Sequence, residues 1–510
     1  MKKKYIIGID VGGTNTDAVM IDSQKNIIAT SKVSTSHDGI SGIINALSLL
    51  KNNSNCEIEK ICIGTTLGLN AILQGSDECA RVGLLRIAGH NPDTIEPCIT
   101  WQNHNKKNIV GYYTISGGYE CDGRELSNLH EHEILEAAKK LIDKGAERIV
   151  INSVFGCMYR DHEQKVSDII KQNFNTIEID CASDFFHIGY VERENTALIN
   201  SMLKKNFSQK LQTIKNELQK IVTSLFIVDN NGLLITIEEA IKYPIKTIVS
   251  GPINSCVGGM LLSKKSNNVI VIDIGGTSTD IGLVENETIR KSLHGVSVGG
   301  INLAIQAPDI ITCGLGGGSI ITKNNTNYEI GPKSVGNTLF ENAYGAGGLI
   351  PTLSDVAYTL TIFNNEKFKK NYFTKEDAEI IMNKVIDTIE MYIEKITLKI
   401  RSFDIVIVGG GALLLPEEKI KQKKWIIPDN CGSANAYGAA CAKRGIIYQK
   451  IITSLSEEDT RNKYNEIYDI VKKKLNSEEY FSIKTDIISQ VEFPYSSDGK
   501  KFVEIKGIAL

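Results

Sequence analysis

The chain has 510 residues, 42% hydrophobic and 23% charged, a balance that excludes disordered and fibrous classes and leaves room for two to four well-filled domains. A formal charge of -3 gives no electrostatic reason to expect nucleic acid or an anionic membrane as a partner. Eleven scattered cysteines without a CxxC pair argue against a zinc site and a secreted disulfide framework, and no run of about 18 uncharged apolar residues predicts a transmembrane helix, so a cytoplasmic protein is expected.

The charged start Met1-Lys2-Lys3-Lys4 is followed by an apolar run that Asp10 interrupts within a few residues, which reads as the edge of a first strand rather than a signal peptide. Tyr5 to Ile9 leads into Asp10-Val-Gly-Gly-Thr-Asn-Thr-Asp17, and Ala18 to Ile21 follows: strand, glycine turn, strand. Helical spacing from Gly39 to Lys51, a strand from Ile58 to Ile63, an amphipathic helix from His130 to Lys144 and a buried strand from Arg148 to Val154 then alternate, as α/β layers with largely parallel sheets do. A Lys- and Gln-rich helix from Lys204 to Ser224 marks the expected meeting of two lobes.

Beyond it the opening device returns. Val269 to Ile272 leads into Asp273-Ile-Gly-Gly-Thr-Ser-Thr-Asp280, identical to the first copy at six of eight positions, and Ile281 to Val284 follows. A long charged helix from Lys375 to Lys399 runs into Asp404-Ile-Val-Ile-Val-Gly-Gly-Gly-Ala412, a strand feeding a third glycine turn. From about Ser454 the pattern gives one charged helix and two strands, Ile483 to Phe493 and Lys501 to Leu510. The predicted division is a first lobe at 1–205, a second at 206–453 and a small C-terminal appendage at 454–510.

These residues suit nucleotide chemistry. Backbone N–H groups must come close to phosphate oxygens, which glycine permits, and Gly12-Gly13 and Gly275-Gly276 supply the turns. Thr14, Asn15, Thr16, Thr277, Ser278 and Thr279 are expected to add polar contacts to phosphate. Asp10 and Asp273 end their strands where a carboxylate holds Mg²⁺ through its waters, or orients a nucleophile. Gly409, Gly410 and Gly411 would lie flat against adenine or ribose. No GxxxxGK[ST] occurs, no GxGxxG opens a helix after Ile9, and Gly314-Leu-Gly-Gly-Gly318 is an isolated match.

The set resembles the actin-like superfamily, in which two phosphate hairpins face each other across a cleft, and within it the hydantoinase A and oxoprolinase family. Asp10 to Asp17 is similar to that family's DxGGTxTD opening and Gly64-Thr-Thr-Leu-Gly-Leu-Asn-Ala-Ile-Leu73 to its HGTTxxxNALL. Ser250-Gly-Pro252 with Val257-Gly258, the second Asp-Gly-Gly-Thr copy, Ala307-Pro-Asp-Ile-Ile-Thr312, Gly316-Gly-Gly-Ser319, Ile330 to Gly336, Tyr344 to Gly348 and Pro351 to Asp355 continue the match in order, to about residue 445. Departures are Asn15 and Ile63 in the opening blocks, Leu339-Phe340-Glu341 for Pro-Gly-Pro, Arg160-Asp161 for Asn-Pro, and the stretch Arg86 to Gln102.

The resemblance implies an α/β, two-lobed actin-like (ribonuclease H-like) ATPase fold that uses ATP and Mg²⁺. It further implies phosphorylation of a carbonyl or enol oxygen of a small cyclic amide, imide or ketone, a separately encoded second subunit, and an oligomer. A sugar or small-molecule kinase, a ketone carboxylase subunit and a non-enzymatic ATP switch are the alternatives. For the substrate, Thr65, Thr66 and Asn70 follow from the resemblance, and Glu192-Arg193-Glu194 with Thr196 and Asn200 from charges set close to an apolar helical pattern. His162 and Glu163 are read as a helix start more than as site residues.

Overall fold

The computed structural model describes residues 4–36, 39–51, 57–65, 78–89, 95–265, 268–285, 288–292, 295–306, 308–324, 327–397, 402–475, 482–493 and 499–509. β-Branched runs at the start pair as an antiparallel hairpin, β1 (Lys4–Val11) and β2 (Asn15–Ile21), which β3 (Ile27–Ser34) extends. α1 (Ile40–Lys51) covers the hairpin with Ile43, Ala46, Leu47 and Leu50, and β4 (Glu57–Thr65) returns parallel to β1.

The chain then builds a separate parallel sheet from β5 (Val82–Ile87), β6 (Ile109–Ile115), β7 (Arg148–Ser153) and β8 (Glu178–Cys181), in the order β6-β5-β7-β8. Period-two alternation gives it two apolar faces. Leu85, Ile87, Ile149 and Ile151 meet α2 (Glu131–Asp143) and α3 (Asp161–Asn173) on one side. Val82, Leu84 and Val150 meet α4 (Tyr190–Leu218) on the other.

Rejoining the first sheet, β9 (Ser224–Val228) runs parallel to β4 and β10 (Leu233–Thr236) antiparallel to β9. After α5 (Ser250–Ser263) the second hairpin opens, β11 (Val269–Ile274) with β12 (Thr279–Glu285), flanked by the short β13 (Thr288–Ile289). Two small hairpins, β14 (Val296–Val298) with β15 (Ile301–Leu303) and β17 (Ser319–Asn324) with β18 (Asn327–Ser334), enclose β16 (Ile310–Cys313), which pairs with β12. α6 (Leu353–Thr359), α7 (Lys375–Thr397) and β19 (Asp404–Val408), parallel to β11, complete this lobe. Val269 to Ile272 are fully buried, as a strand covered on both faces requires.

α8 (Ala434–Cys441) leads back to β20 (Lys443–Thr453), α9 (Glu457–Leu475), β21 (Ile483–Glu492) and β22 (Lys500–Ala509). These three strands extend the first sheet, whose order is β21-β22-β20-β10-β9-β4-β1-β2-β3. α4 spans 205/206, β9 and β10 beyond it belong to the first sheet, and Thr453 is the last residue of β20. The C-terminal strands are hydrogen-bonded to β20 from Gly445 to Thr453. None of the described helices is long and apolar enough to cross a membrane.

α5 and α8 cross where the lobes join, and they do so without side chains between them. A Cβ on Gly258 would lie 1.9 Å from the Ala434 carbonyl oxygen, and one on Gly438 would lie 2.0 Å from that of Asn254. The contact is reciprocal, one helical turn apart on each helix. α8 rests on the first sheet, where a Cβ on Gly8 would lie 2.0 Å from the Ala436 oxygen. α5 rests on the second, where a Cβ on Gly259 would lie 2.7 Å from Val271. Any larger residue at Gly8, Gly258 or Gly438 meets backbone and has nowhere to go.

Candidate functional site

The two repeated octapeptides form superimposable hairpins. Asp10 pairs with Asp17 and Asp273 with Asp280 across their ladders, so each hairpin carries two carboxylates on one face. Each turn is closed the same way, Gly12 N–H donating to Asn15 O at 3.1 Å and Gly275 N–H to Ser278 O at 2.9 Å. Gly13 and Thr14, like Gly276 and Thr277, are exposed at the tips, and among the described residues nothing accepts their N–H groups. Unpaired N–H groups at a turn tip form an anion-binding concavity.

Thr16 and Thr279, expected at phosphate, face the other way. Both are fully buried; the Thr16 hydroxyl lies 3.2 Å from that of Thr35, and the Thr279 hydroxyl donates to Leu315 O at 2.6 Å. The cause is strand alternation: each threonine immediately precedes a cleft-facing aspartate and must point to the opposite side. Asn15 and Ser278 remain half-buried beside the turn.

The third glycine turn braces the second hairpin. Gly409 has φ +86°, and a Cβ there would lie 2.2 Å from Asp273 Oδ1; one on Gly411 would lie 2.5 Å from Ile274. Only Gly410 faces open space. Thus two of the three glycines expected against adenosine are required by the approach of protein to protein. A further brace comes from Gly316–Gly318, which the sequence reading left without a role. Gly317 N–H donates to Gly275 O at 3.0 Å, Gly318 N–H to Gly276 O at 2.7 Å, and a Cβ on Gly316 would lie 2.8 Å from Gly276 C and Thr277 N.

Four carboxylates gather here at an electrostatic cost. Burial, then the charges of Asp17 and Asp273, push the Asp10 carboxyl well above the usual carboxylate range. Burial also raises Asp273, opposed by the Ser255 hydroxyl. Burial raises Asp17 against the pull of Lys32, 3.0 Å away, and lifts Asp280 to about 6 against the Thr312 hydroxyl, which donates to it at 2.5 Å. Among the described residues, Asp10 Oδ1 is buried with no donor and Asn254 Nδ2 with no acceptor. The two flank Gly64, whose Cβ would lie 3.8 Å from the first and 2.4 Å from the second. Asp17, Asp280, Asn254 and Ser255 were not singled out from sequence. The available signals were the terminal aspartate of each repeat and the place of Asn254-Ser255 just beyond Ser250-Gly-Pro252, with Ile253 between.

Of the expected substrate residues, Thr65 lies beside the first hairpin, in register with Val11, whereas those on α4 lie against the four-stranded sheet. Thr65 is buried at the end of β4, its carbonyl 3.5 Å from the Ser250 hydroxyl; Thr66 and Asn70 fall outside the described residues. Glu192 sits half-buried on the first turn of α4. Arg193, Glu194, Thr196 and Asn200 are almost entirely buried. Glu194 takes a bidentate pair from Arg86 at 2.8 and 2.7 Å, and Arg193 donates to the carbonyls of His187 and Ser153 at 2.8 and 2.6 Å. Thr196 donates to Glu192 O and accepts from Ala304 N–H, both at 2.7 Å, and Asn200 accepts from Ile245 N–H at 3.3 Å. Thr196 and Asn200 are therefore committed to joining elements rather than free for a ligand. His162 accepts from Gly118 N–H at 2.9 Å, and Glu163 from Ser153 and Ser183 N–H at 2.8 Å, in keeping with a structural helix start.

Two family models match the chain: the hydantoinase/oxoprolinase N-terminal region over residues 6–174 and hydantoinase/oxoprolinase over residues 193–400. The caprolactamase subunit alpha of Pseudomonas jessenii is 26% identical over 391 residues, 70% of this chain and 55% of that one. The acetophenone carboxylase gamma subunit of Aromatoleum aromaticum is 26% identical over 400 residues, 71% and 54%. The chain spans about half the length of these relatives. In fold it matches the crystal structure of ATP-dependent caprolactamase from Pseudomonas jessenii with a TM-score of 0.79 at 19% identity, covering 99% of this chain and 87% of that one. Nucleotide-free acetone carboxylase gives 0.77 at 17%, covering 100% and 88%. The mixed α/β, two-lobed fold expected from the repeat is the one observed.

Proposed function

The chain belongs to the hydantoinase/oxoprolinase family, and on that premise we propose that it is the ATP-dependent subunit of an enzyme that phosphorylates a carbonyl or enol oxygen of a small cyclic amide, imide or ketone. The observation that carries the reading is the pair of matched hairpins, whose inner-strand aspartates lie close enough that the charge of Asp273 helps raise the Asp10 carboxyl. Such a cluster is stable at neutral pH only opposite positive charge. Mg²⁺ carried on ATP and held mainly through water fits that need, since the ion prefers few carboxylates and Asp10 Oδ1 is a buried acceptor without a donor.

In this reading the tip N–H groups of Gly13, Thr14, Gly276 and Thr277 take phosphate oxygens from opposite walls, and the Thr14 and Thr277 hydroxyls add to them. The carbonyl oxygen of the substrate attacks the γ-phosphorus while the bond to the β-phosphate oxygen breaks and ADP leaves. Phosphorylation of an amide oxygen makes its carbon electrophilic: water adds there, the C–N bond breaks as the departing nitrogen takes a proton, and a second water hydrolyses the acyl phosphate left behind to carboxylate and phosphate. Positioning and charge neutralisation supply most of the rate in such transfers. The named relatives are subunits, and a separately encoded partner that completes the reaction here is part of the proposal.

Phosphate release by the chain, alone and with products of adjacent genes, is the test, run over hydantoins, lactams, ketones and sugars. Release dependent on a cyclic amide, imide or ketone is expected, slow for the chain alone and faster with the partner. Robust phosphorylation of a sugar hydroxyl by the isolated chain would replace the reading with that of a kinase.

A further inference from the structure

Away from the hairpins, the four-stranded sheet has a feature of its own. Its order β6-β5-β7-β8 places β5 between the strand that follows it and the one after that, so the winding reverses at β5. In open parallel sheets, ligands bind outside the carboxyl ends of the strands at such a reversal. The residues in register there are Thr114, Arg86 and Asn152, one per strand, on the face that α4 covers.

This row is polar where a core is expected, and it is incompletely satisfied. Arg86 and Asn152 are buried, and both bond Glu194; Asn152 Nδ2 donates to it at 3.1 Å and to Tyr190 O at 3.3 Å. The guanidinium carbons of Arg86 and Arg193 lie 5.5 and 5.9 Å from the centre of the Tyr190 ring. In this row and on the first turn of α4, four buried polar atoms have no partner among the described residues: Thr114 Oγ1, Asn152 Oδ1, Tyr190 Oη and Arg193 Nε. Buried polar atoms without partners are few in folded proteins, and each calls for an explanation such as a bound ligand. Arg193 makes no ion pair among the described residues, although it is fully buried and charged.

The orphans are not alike. Arg193 Nε is a donor and Tyr190 Oη and Thr114 Oγ1 can donate, whereas Asn152 Oδ1 only accepts, its amide nitrogen being fixed by Glu194 and the Tyr190 carbonyl. A ketone or a carboxylate satisfies donors alone. A group carrying C=O and N–H side by side satisfies both kinds.

We propose that the carboxyl end of this sheet, capped by α4, is a binding site for a small amide, whose carbonyl oxygen takes Arg193 and Tyr190 and whose N–H takes Asn152. Its role as the acceptor site for phosphorylation rests on the function proposed above; the binding site itself rests on the sheet order and the four orphaned atoms. It selects amides and ureas over ketones.

The experiment uses the full chain without nucleotide. Binding of unsubstituted lactams of five to seven ring atoms and of hydantoin is titrated by ligand-observed NMR, beside their N-methyl derivatives and the matching cyclic ketones. At least one N–H compound should bind, with its N-methyl form and ketone weaker by about tenfold or more. Tyr190→Phe and Thr114→Val each remove only a hydroxyl that touches no protein partner, so both should fold. Tyr190→Phe should weaken the amide about tenfold and leave ATP affinity unchanged. No binding, equal binding of amide and ketone, or unchanged amide affinity in Tyr190→Phe would overturn the site. Amide binding that Tyr190→Phe weakens, without amide-dependent ATP hydrolysis, would keep the site and remove the phosphorylation reading. Amide-dependent hydrolysis indifferent to Tyr190→Phe would do the reverse.

Discussion

The first and second hairpins are alike in register, turn closure and tip exposure, yet they are held from different sides. β3 lies against β2 and sets Lys32 opposite Asp17, whereas β16 occupies the matching place against β12 and sets Thr312 opposite Asp280. The second hairpin is further braced by Gly316–Gly318 and by Gly409 and Gly411. The repeated octapeptide thus determines backbone shape and the position of its aspartates. The neighbouring strand supplies the group that opposes the effect of burial on the outer one, Lys32 at Asp17 and the Thr312 hydroxyl at Asp280.

The most severe way to probe the equivalence of the halves is to neutralise the aspartate that ends each inner strand. Asp10→Asn and Asp273→Asn should each lower ATP turnover about a hundredfold or more, the scale of losing a group that acts in the transition state. Neither should lower the melting temperature, because each removes a charge that burial disfavours. Full ATPase activity in either variant would mean that only one half works on the nucleotide.

A middle-sized effect separates the braces from the tips. Gly316→Val places a side chain against Gly276 and Thr277 and should cost about 1–3 kcal/mol of stability, with weaker ATP binding as a consequence. Gly276→Val, at a position open to solvent, should leave stability within about 1 kcal/mol while reducing ATP affinity about tenfold or more. Thermal unfolding beside calorimetric ATP titration distinguishes them, and equal destabilisation by both would erase the distinction.

The smallest effect concerns pH. Asp280 has a folded pKa of about 6, above the ordinary carboxylate value, so the native state binds its proton more tightly than the unfolded chain does. Its contribution to stability is complete below about pH 4 and lost as pH rises through about 6. Asp280→Asn should therefore stabilise the ligand-free protein by on the order of 1–3 kcal/mol at pH 7 and by little at pH 4. Asp17→Asn should gain less, since Lys32 already lies 3.0 Å from that carboxylate. Denaturant midpoints at the two pH values report both, and a larger gain at Asp17 would reverse the roles assigned to the neighbouring strands.

The fold was legible because its two lobes open with the same eight residues and because buried strands and amphipathic helices leave periodic traces. Thr16 and Thr279 were misread because a hydroxyl beside a glycine turn suits phosphate by chemistry, while its direction depends on where the strand begins. Glu194 looked like a free ligand carboxylate because the side chain that binds it, Arg86, stands 108 residues earlier. Gly316–Gly318 had no visible role for the same reason: what they touch is another turn, brought to them only by the completed sheet.

The reciprocal contact of Gly258 with Ala434 and Gly438 with Asn254 makes the junction of the lobes a fulcrum. Backbone touching backbone has no rotamers to repack, so a tilt of one lobe on the other must roll about this point while its far edges sweep the longer arc. Spin labels at Lys32 and Lys323, both exposed, should then change separation on adding ATP and Mg²⁺ more than a pair beside the crossing. Equal changes at both pairs would show that the helices slide instead of pivoting.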